Sequence, residues 1–310
     1  MNTPFAIEIK DLTKTYADGT QALQGIDLAI KQGDFFALLG PNGAGKSTTI
    51  GIMTSLVNKT AGQVKVMGVD LHKKPAQAKS YLGVVPQEIN INIFETCTQI
   101  LLNQAAYYGV PRKLARQRAI KLLEQLSLSS KANSKASDLS GGMRRRLMIA
   151  RSLIHEPQIL ILDEPTAGVD VEIRQTMWSF VTDLNKKGTT IILTTHYLEE
   201  AEKLCKNIAI IDNGRVLKNT SVKRLLNSLD RETMVFYLGE PLATKPDLGN
   251  FPCELTEPDI LEVELKKGQT ISDVFEYLCK YNIKVTSVRN KANRLEMLFM
   301  NIVQHKRNME

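Results

Sequence analysis

Residues 40–48 read GPNGAGKST, in which three glycines, a lysine and two hydroxyl residues fall at fixed spacing. The stretch follows a short apolar run, Phe35–Leu39, and precedes a helix-compatible segment. In that context a G-x-x-x-x-G-K-[ST] pattern cradles phosphate. Gly43 and Gly45 can take positive φ and turn successive backbone N–H groups inward around phosphate oxygens. Gly40, Pro41, Asn42, Ala44 and Thr48 complete the loop. A helix beginning near Lys46 adds its dipole. Lys46 then reaches the β- and γ-phosphates, and the Ser47 hydroxyl is placed to ligate Mg2+. A plain glycine turn before a helix would explain the glycines but not the whole pattern.

A second stretch, ILILDEP at residues 159–165, supplies the complement. Four apolar residues bury a strand and deliver Asp163 and Glu164 at its carboxyl end, where open α/β sheets bind ligands. Asp163 would hold Mg2+, directly or through water. Glu164 would act as general base toward the attacking water. Residues 189–196, TTIILTTH, form another buried run ending in a polar group, His196, which can touch the γ-phosphate; a lone strand-end histidine is also a common structural residue.

The elements that must position these groups are legible in outline. Ala6–Lys10 and Leu23–Ile30 alternate around an Asp18-Gly19 turn and read as antiparallel strands. Phe35–Leu39, Ile159–Leu162, Thr190–Leu193 and Ile208–Ile211 have the look of strands buried on both faces. Asn213-Gly214 marks a hairpin into Arg215–Leu217. Between about residues 90 and 155 the period becomes helical, as in Thr98–Tyr108 and Arg112–Leu126, with a polar loop at 127–138. From about residue 221 a β-β-α-β-α order follows: strands at Glu232–Leu238 and Ile260–Leu265, a helix at Ile271–Cys279, a strand at Ile283–Val288 and a helix at Asn293–Gln304. The expectation is an α/β core with an antiparallel β subdomain and a helical insertion, plus a small C-terminal α+β domain that carries no chemical motif.

Composition narrows the class. The chain has 310 residues, 43% hydrophobic and 24% charged, which is ordinary for a globular protein. No run approaches the roughly 18 apolar residues of a membrane helix, and no secretory leader is visible. The four cysteines (Cys97, Cys205, Cys253 and Cys279) are far apart, and His72, His155 and His305 form no cluster, so no metal site is expected on them. The net charge of +7 lies in residues 1–220, because 13 basic residues balance 13 acidic ones from 221 onward. Residues 101–155 alone hold 11 basic residues against Glu124 and Asp138, a local +9. Either a solvated helical surface or a face near an acidic partner accounts for it. No nucleic-acid motif accompanies it, so no nucleic acid is expected as a partner.

Taken together, the motifs resemble those of the nucleotide-binding subunits of ABC transporters, over roughly residues 5–220 and in that family's order. Gly40–Thr48 matches Walker A, Gln87 in VVPQE the Q-loop, Leu139–Met143 in LSGGMRRR the signature, and Ile159–Glu164 Walker B. Asp170 in AGVD fits the D-loop, His196 the switch histidine, and Tyr16 the aromatic that stacks on adenine. The signature methionine, the wording DEPTAGVD and the C-terminal extension look most like ATPases of ABC-2-type exporters, of the daunorubicin-resistance and YadG-like kind.

The resemblance implies a P-loop NTPase fold. It divides the chain into a nucleotide-binding domain at 1–220, with its helical subdomain at about 90–155, and an accessory domain at 221–310. It implies ATP and Mg2+ as the bound groups, with Ser47, Gln87 and Asp163 toward the metal. It implies two copies head to tail, each offering Ser140, Gly141 and Gly142 to the ATP held by the other; a homologous subunit could take the second place. Two glycines there let a helix N-terminus, read as beginning near Met143, approach phosphate closely. A separate transmembrane permease of ABC-2 type follows as partner, with this chain cytoplasmic and peripheral on the inner face of the membrane. The alternative is a regulatory ABC ATPase without a transport partner. Arginine in the first turn of a helix opposes its dipole, so at least one of Arg144–Arg146 is expected to be held by a carboxylate, a phosphate or the adjoining subunit.

Overall fold

The computed structural model describes residues 4–291 and 293–307, with the side chains of 301 and 303–307 left out; that of His305 thus lies outside the description. The chain divides into two compact units, one ending at Ser221 and one starting at Val222.

In the first unit, β1 (Phe5–Thr15) and β2 (Gln21–Lys31) form the expected antiparallel pair, with Ile7 opposite Ile30 and Ile9 opposite Leu28. β3 (Phe35–Leu39) is buried along its whole length. The phosphate loop leads from it into α1 (Lys46–Met53). The next strands are β4 (Ala61–Val66) and β5 (Val69–Asp70), followed by α2 (Pro75–Ser80) and β6 (Leu82–Val85). The helical insertion holds α3 (Cys97–Tyr107), α4 (Arg112–Gln125) and α5 (Gly141–Leu153). Thr96 starts α3 with a capping box, exchanging side-chain and backbone hydrogen bonds with Gln99. β7 (Ile159–Asp163), α6 (Val171–Lys186), β8 (Thr190–Thr194), α7 (Leu198–Leu204), β9 (Asn207–Asp212) and β10 (Arg215–Ser221) complete the unit.

Two sheets result. One is antiparallel, in the order β2-β1-β4-β5. The other runs β10-β9-β3-β8-β7-β6 and is parallel except for the β9–β10 hairpin. Because β3, β7 and β8 are parallel neighbours, their carboxyl ends bring Leu39, Asp163 and Thr194 to one edge. Strands apolar on both faces can only sit in such a covered central sheet.

The second unit holds α8 (Val222–Leu226), β11 (Arg231–Leu238), β12 (Cys253–Glu257), β13 (Ile260–Lys266), α9 (Ile271–Lys280), β14 (Val285–Asn290) and α10 (Arg294–Arg307). Its sheet is antiparallel, in the order β12-β13-β11-β14, around a core of Phe236, Leu261, Val263, Val274 and Leu278. The sequence-based order is therefore incomplete by α8 and β12. β12 reads CELTE and sits at a sheet edge; its apolar face is only Cys253 and Leu255, both half-buried against the core, an alternation too short to reveal a strand.

A second correction concerns α5. It begins at Gly141 rather than near Met143, because the Ser140 hydroxyl accepts from Met143 N (3.3 Å) and makes Gly141 and Gly142 its first two residues.

Candidate functional site

The phosphate loop has the backbone that its glycines imply. Gly43 sits at φ 80° and Gly45 at φ 105°. At Gly45 a Cβ would also meet Ala22 O at 2.7 Å and Leu23 Cδ2 at 2.8 Å, so no other residue fits. Lys46 Nζ donates to Gly40 O (2.7 Å) and Pro41 O (2.9 Å), folding the amine across the loop. Burial pulls the Lys46 pKa down, and the nearby Glu164 and Asp163 carboxylates oppose that shift.

At the end of β7, burial pushes the Asp163 carboxyl pKa up; the hydrogen bond from Thr194 Oγ1 counteracts it. The same Thr194 hydroxyl accepts from Glu164 N (3.1 Å). One threonine thereby fixes both acidic positions. Glu164 itself has φ 46°, a left-handed backbone uncommon for a residue other than glycine. Its Oε2 accepts from Gln87 Nε2 (3.1 Å) and lies 3.4 Å from His196 Nδ1.

These groups line one cavity of ≈ 640 Å³, walled by residues 42–48, Ala22, Gln87, Glu164 and His196. The structure thus gathers the phosphate loop, the acidic strand end, Gln87 and His196, which lie far apart in sequence. Gly40 and Pro41 take part through their carbonyls, and Asp163 through Thr194. Tyr16 is not among the lining residues. Its hydroxyl is 3.2 Å from Thr48 Oγ1, and Lys14 Nζ lies 4.7 Å from the ring centroid. Ser140, Gly141, Gly142 and Asp170 do not line the cavity either. The first three start α5, and Asp170 is the N-cap residue of α6.

The three arginines after the signature glycines are held, but by carbonyl oxygens within the chain rather than by a carboxylate. Arg144 Nε donates to Leu139 O (3.0 Å). Arg146 Nη1 donates to Leu126 O (2.8 Å). Arg145 is buried and donates to Pro86 O (2.9 Å) and Gln87 O (2.8 Å), joining the signature helix to the backbone of Gln87. Sequence reasoning missed both Arg145 and Thr194. The TTH wording at the end of β8 was the only available signal for Thr194, since a hydroxyl on the last residue of a fully buried strand has to find a partner there.

A glycine-built phosphate loop at the head of a parallel sheet, with a lysine inside it and two carboxylates at the end of the next strand but one, defines a P-loop nucleotide hydrolase. Comparison with known proteins narrows that class. The ABC transporter family profile matches residues 23–167. The linearmycin resistance ATP-binding protein of Bacillus subtilis (strain 168) is 39% identical over 305 residues, covering 96% of this chain and 97% of that protein. A Nod factor export ATP-binding protein I from Burkholderia orbicola (strain AU 1054) is 35% identical, covering 84% and 89%. Among solved structures, an ATP-binding subunit of an ABC transporter aligns with TM-score 0.66 and 29% identity, covering 71% of this chain and 91% of that one. A dimeric ATP-binding cassette in a post-hydrolysis state with ADP and Pi aligns with TM-score 0.64 and 28% identity, covering 70% and 98%. The chain belongs to the ABC transporter family, as an ATP-binding subunit that hydrolyses ATP with Mg2+. Among its described residues no helix is long and apolar enough to cross a membrane.

Proposed function

We propose that this chain is the motor of an export system, working as a pair of copies beneath a separate ABC-2-type permease on the inner face of the membrane. The observation that carries the reading is the convergence of Gln87 and His196 on one oxygen of Glu164, at the mouth of the phosphate loop. The names of the relatives quoted above support export. In this reading residues 43–48 hold the phosphates, and Glu164 takes a proton from the attacking water. His196 holds the γ-phosphate and the Glu164 carboxylate in register, while Tyr16 supports the adenine.

The donors fit Mg2+, which when bound neutralises phosphate charge: the Ser47 hydroxyl, the Asp163 carboxylate and the Gln87 amide are hard oxygen ligands. No group of three or more His, Cys, Asp or Glu side chains able to hold a metal occurs among the described residues. That suits an ion that takes its remaining ligands from phosphate and water.

The pairing follows from what one copy leaves open. In the first turn of α5, Met143 N donates to Ser140 Oγ (3.3 Å) and Arg144 N to Ser140 O (2.9 Å), which leaves the Gly141 and Gly142 N–H groups without an intrahelical acceptor. Ser140, Gly141, Gly142 and Asp170 lie outside their own chain's cavity, so they serve the site of the other copy. Movement of Gln87 passes through its carbonyl to Arg145 and α5. Just beyond Gln87, Ile89, Ile93 and Phe94 are exposed, Phe94 by 76%, and offer the permease an apolar contact.

The test is purification of the tagged full chain from membranes in mild detergent. A polytopic membrane protein should copurify. A lone dimer with no membrane companion would favour a regulatory ATPase instead. Ser140→Arg should abolish hydrolysis while leaving ATP binding to the single chain intact; a monomer turning over at full rate would refute the pairing.

A further inference from the structure

Glu200 lies outside every motif discussed so far, yet it is the most heavily engaged carboxylate in the molecule's nucleotide-binding unit. It sits in α7, 6% exposed, and its two oxygens collect donors from three directions. Thr166 Oγ1 donates to Oε1 (2.8 Å) and lies 3.1 Å from Oε2. Thr195 Oγ1 donates to Oε2 (2.9 Å), and Trp178 Nε1 donates to Oε1 (3.1 Å). Arg174 Nε stands 3.6 Å from Oε1. The Arg174 guanidinium lies over the Tyr197 ring at 4.5 Å, and that ring packs against His196 with centroids 3.9 Å apart.

Each donor belongs to a segment that carries a group of the site. Thr166 is two residues past Glu164, and Thr195 directly precedes His196. Trp178 and Arg174 are on α6, whose N-cap is Asp170, and Arg174 N donates to Asp170 O (2.9 Å). We propose that Glu200 is a positioning residue for hydrolysis: one buried carboxylate that fixes the Glu164, His196 and Asp170 segments to a common point. This rests on the site roles proposed above. A buried carboxylate that is fully hydrogen-bonded is a rigid junction, because every donor it loses is left unsatisfied. Rigidity matters here because a displacement of about 1 Å at a reacting group costs on the order of 10²-fold in rate.

The test measures ATP turnover with Mg2+ in the full chain, ATP affinity and stoichiometry by calorimetry, and the melting temperature. Glu200→Gln keeps the shape and one acceptor, and should lower kcat per ATP-binding site about 10-fold, with KM within about two-fold. Thr195→Val removes one donor and should lower kcat by a smaller factor. Combined with Glu200→Gln it should add nothing, because both act through one junction. Thr166→Val is the fallback should Glu200→Gln fail to fold, and should show the same split between kcat and KM.

A merely structural role would lower the melting temperature and the fraction of binding-competent sites, with kcat per site unchanged. That result overturns the proposal, as do independent, multiplying losses in the double variant. Glu164→Gln and His196→Ala run alongside. Full turnover in those two would sink the site assignment itself. Lost turnover there, with Glu200→Gln at full rate, would sink the role of Glu200 alone.

Discussion

The two units solve folding in different ways. Every buried polar or charged side chain among the described residues belongs to the first unit, Asp34, Arg145, Thr166, Thr194, Thr195 and Glu200 among them. The second unit buries apolar side chains only, such as Phe236, Leu261 and Leu278. Backbone strain divides the same way: of the described non-glycine residues at positive φ, Glu164 and six others lie in the first unit, against Asn282 alone in the second. Buried polar groups and left-handed backbone cost stability wherever they stand. The second unit shows what this chain builds where packing is the sole requirement. The first shows what it builds where carboxylates must be held at stated positions.

Glu164→Gln is the sharpest break to apply to that contrast. It removes the general base but leaves the left-handed turn and a hydrogen-bonding side chain. Turnover should fall by at least about 10²-fold, with ATP still bound and the paired form accumulating. Steady-state kinetics and size-exclusion chromatography with ATP check both effects. Retained turnover would mean that the strain at Glu164 serves no chemistry.

Gly45→Ala probes the loop backbone instead. Its Cβ has no room beside Ala22 O and Leu23 Cδ2, and φ 105° excludes it in any case. ATP affinity should fall by about 10²-fold or more, readable by calorimetry, because the N–H groups that converge on phosphate would be redirected.

In the second unit the matching experiment is Phe236→Ala. Phe236 is fully buried and packs edge-on against Phe275 with ring centroids 5.8 Å apart. The change should cost about 3–5 kcal/mol of that unit's stability. Calorimetry should then show one transition moving down while turnover at lower temperature stays near wild type. Loss of turnover in step with it would erase the distinction between a chemical and a packing unit.

The sequence was most readable where one residue type has one physical job. Gly43 and Gly45 announce positive φ, and the apolar runs before Gly40 and Asp163 announce central strands. Strands whose residues face water were harder. β12 is hard to see because CELTE offers only two apolar residues, Cys253 and Leu255, on its inner face, and β4 through β6, with α2 between them, offer no long periodic run. Residues that act through others were hardest. Glu200, Arg145 and Thr194 do their work by hydrogen bonds to segments distant in sequence, and no local spacing encodes a partner 34 or 58 positions away. Tyr16 marks another limit. Its residue type indicates a stacking surface, yet the structure shows its hydroxyl resting near Thr48.

The smallest expected effect bears most directly on why polar burial is tolerated in the first unit. Burial raises the Asp163 carboxyl pKa above its ordinary 3.8, so the folded chain disfavours the charged form. The charge therefore costs stability at every pH above the folded value, and that cost vanishes as pH falls below the ordinary one. Asp163→Asn keeps an acceptor for Thr194 Oγ1 and removes the charge. Without nucleotide and Mg2+ it should melt higher than wild type by roughly a degree or two at pH 7. The difference should shrink as pH falls through the raised folded value and be gone below the ordinary 3.8, where the carboxyl is protonated in the folded and unfolded chain alike. Adding Mg2+ and ATP should reverse the order at pH 7, since only the carboxylate gains from the metal and ligand binding adds to stability. Thermal melts at pH 7 and below the ordinary value, with and without Mg2+ and ATP, separate these cases. If Asp163→Asn is already the less stable chain without ligand, then the acidic strand end is an ordinary hydrogen-bonded carboxylate, and the contrast between the units does not extend to it.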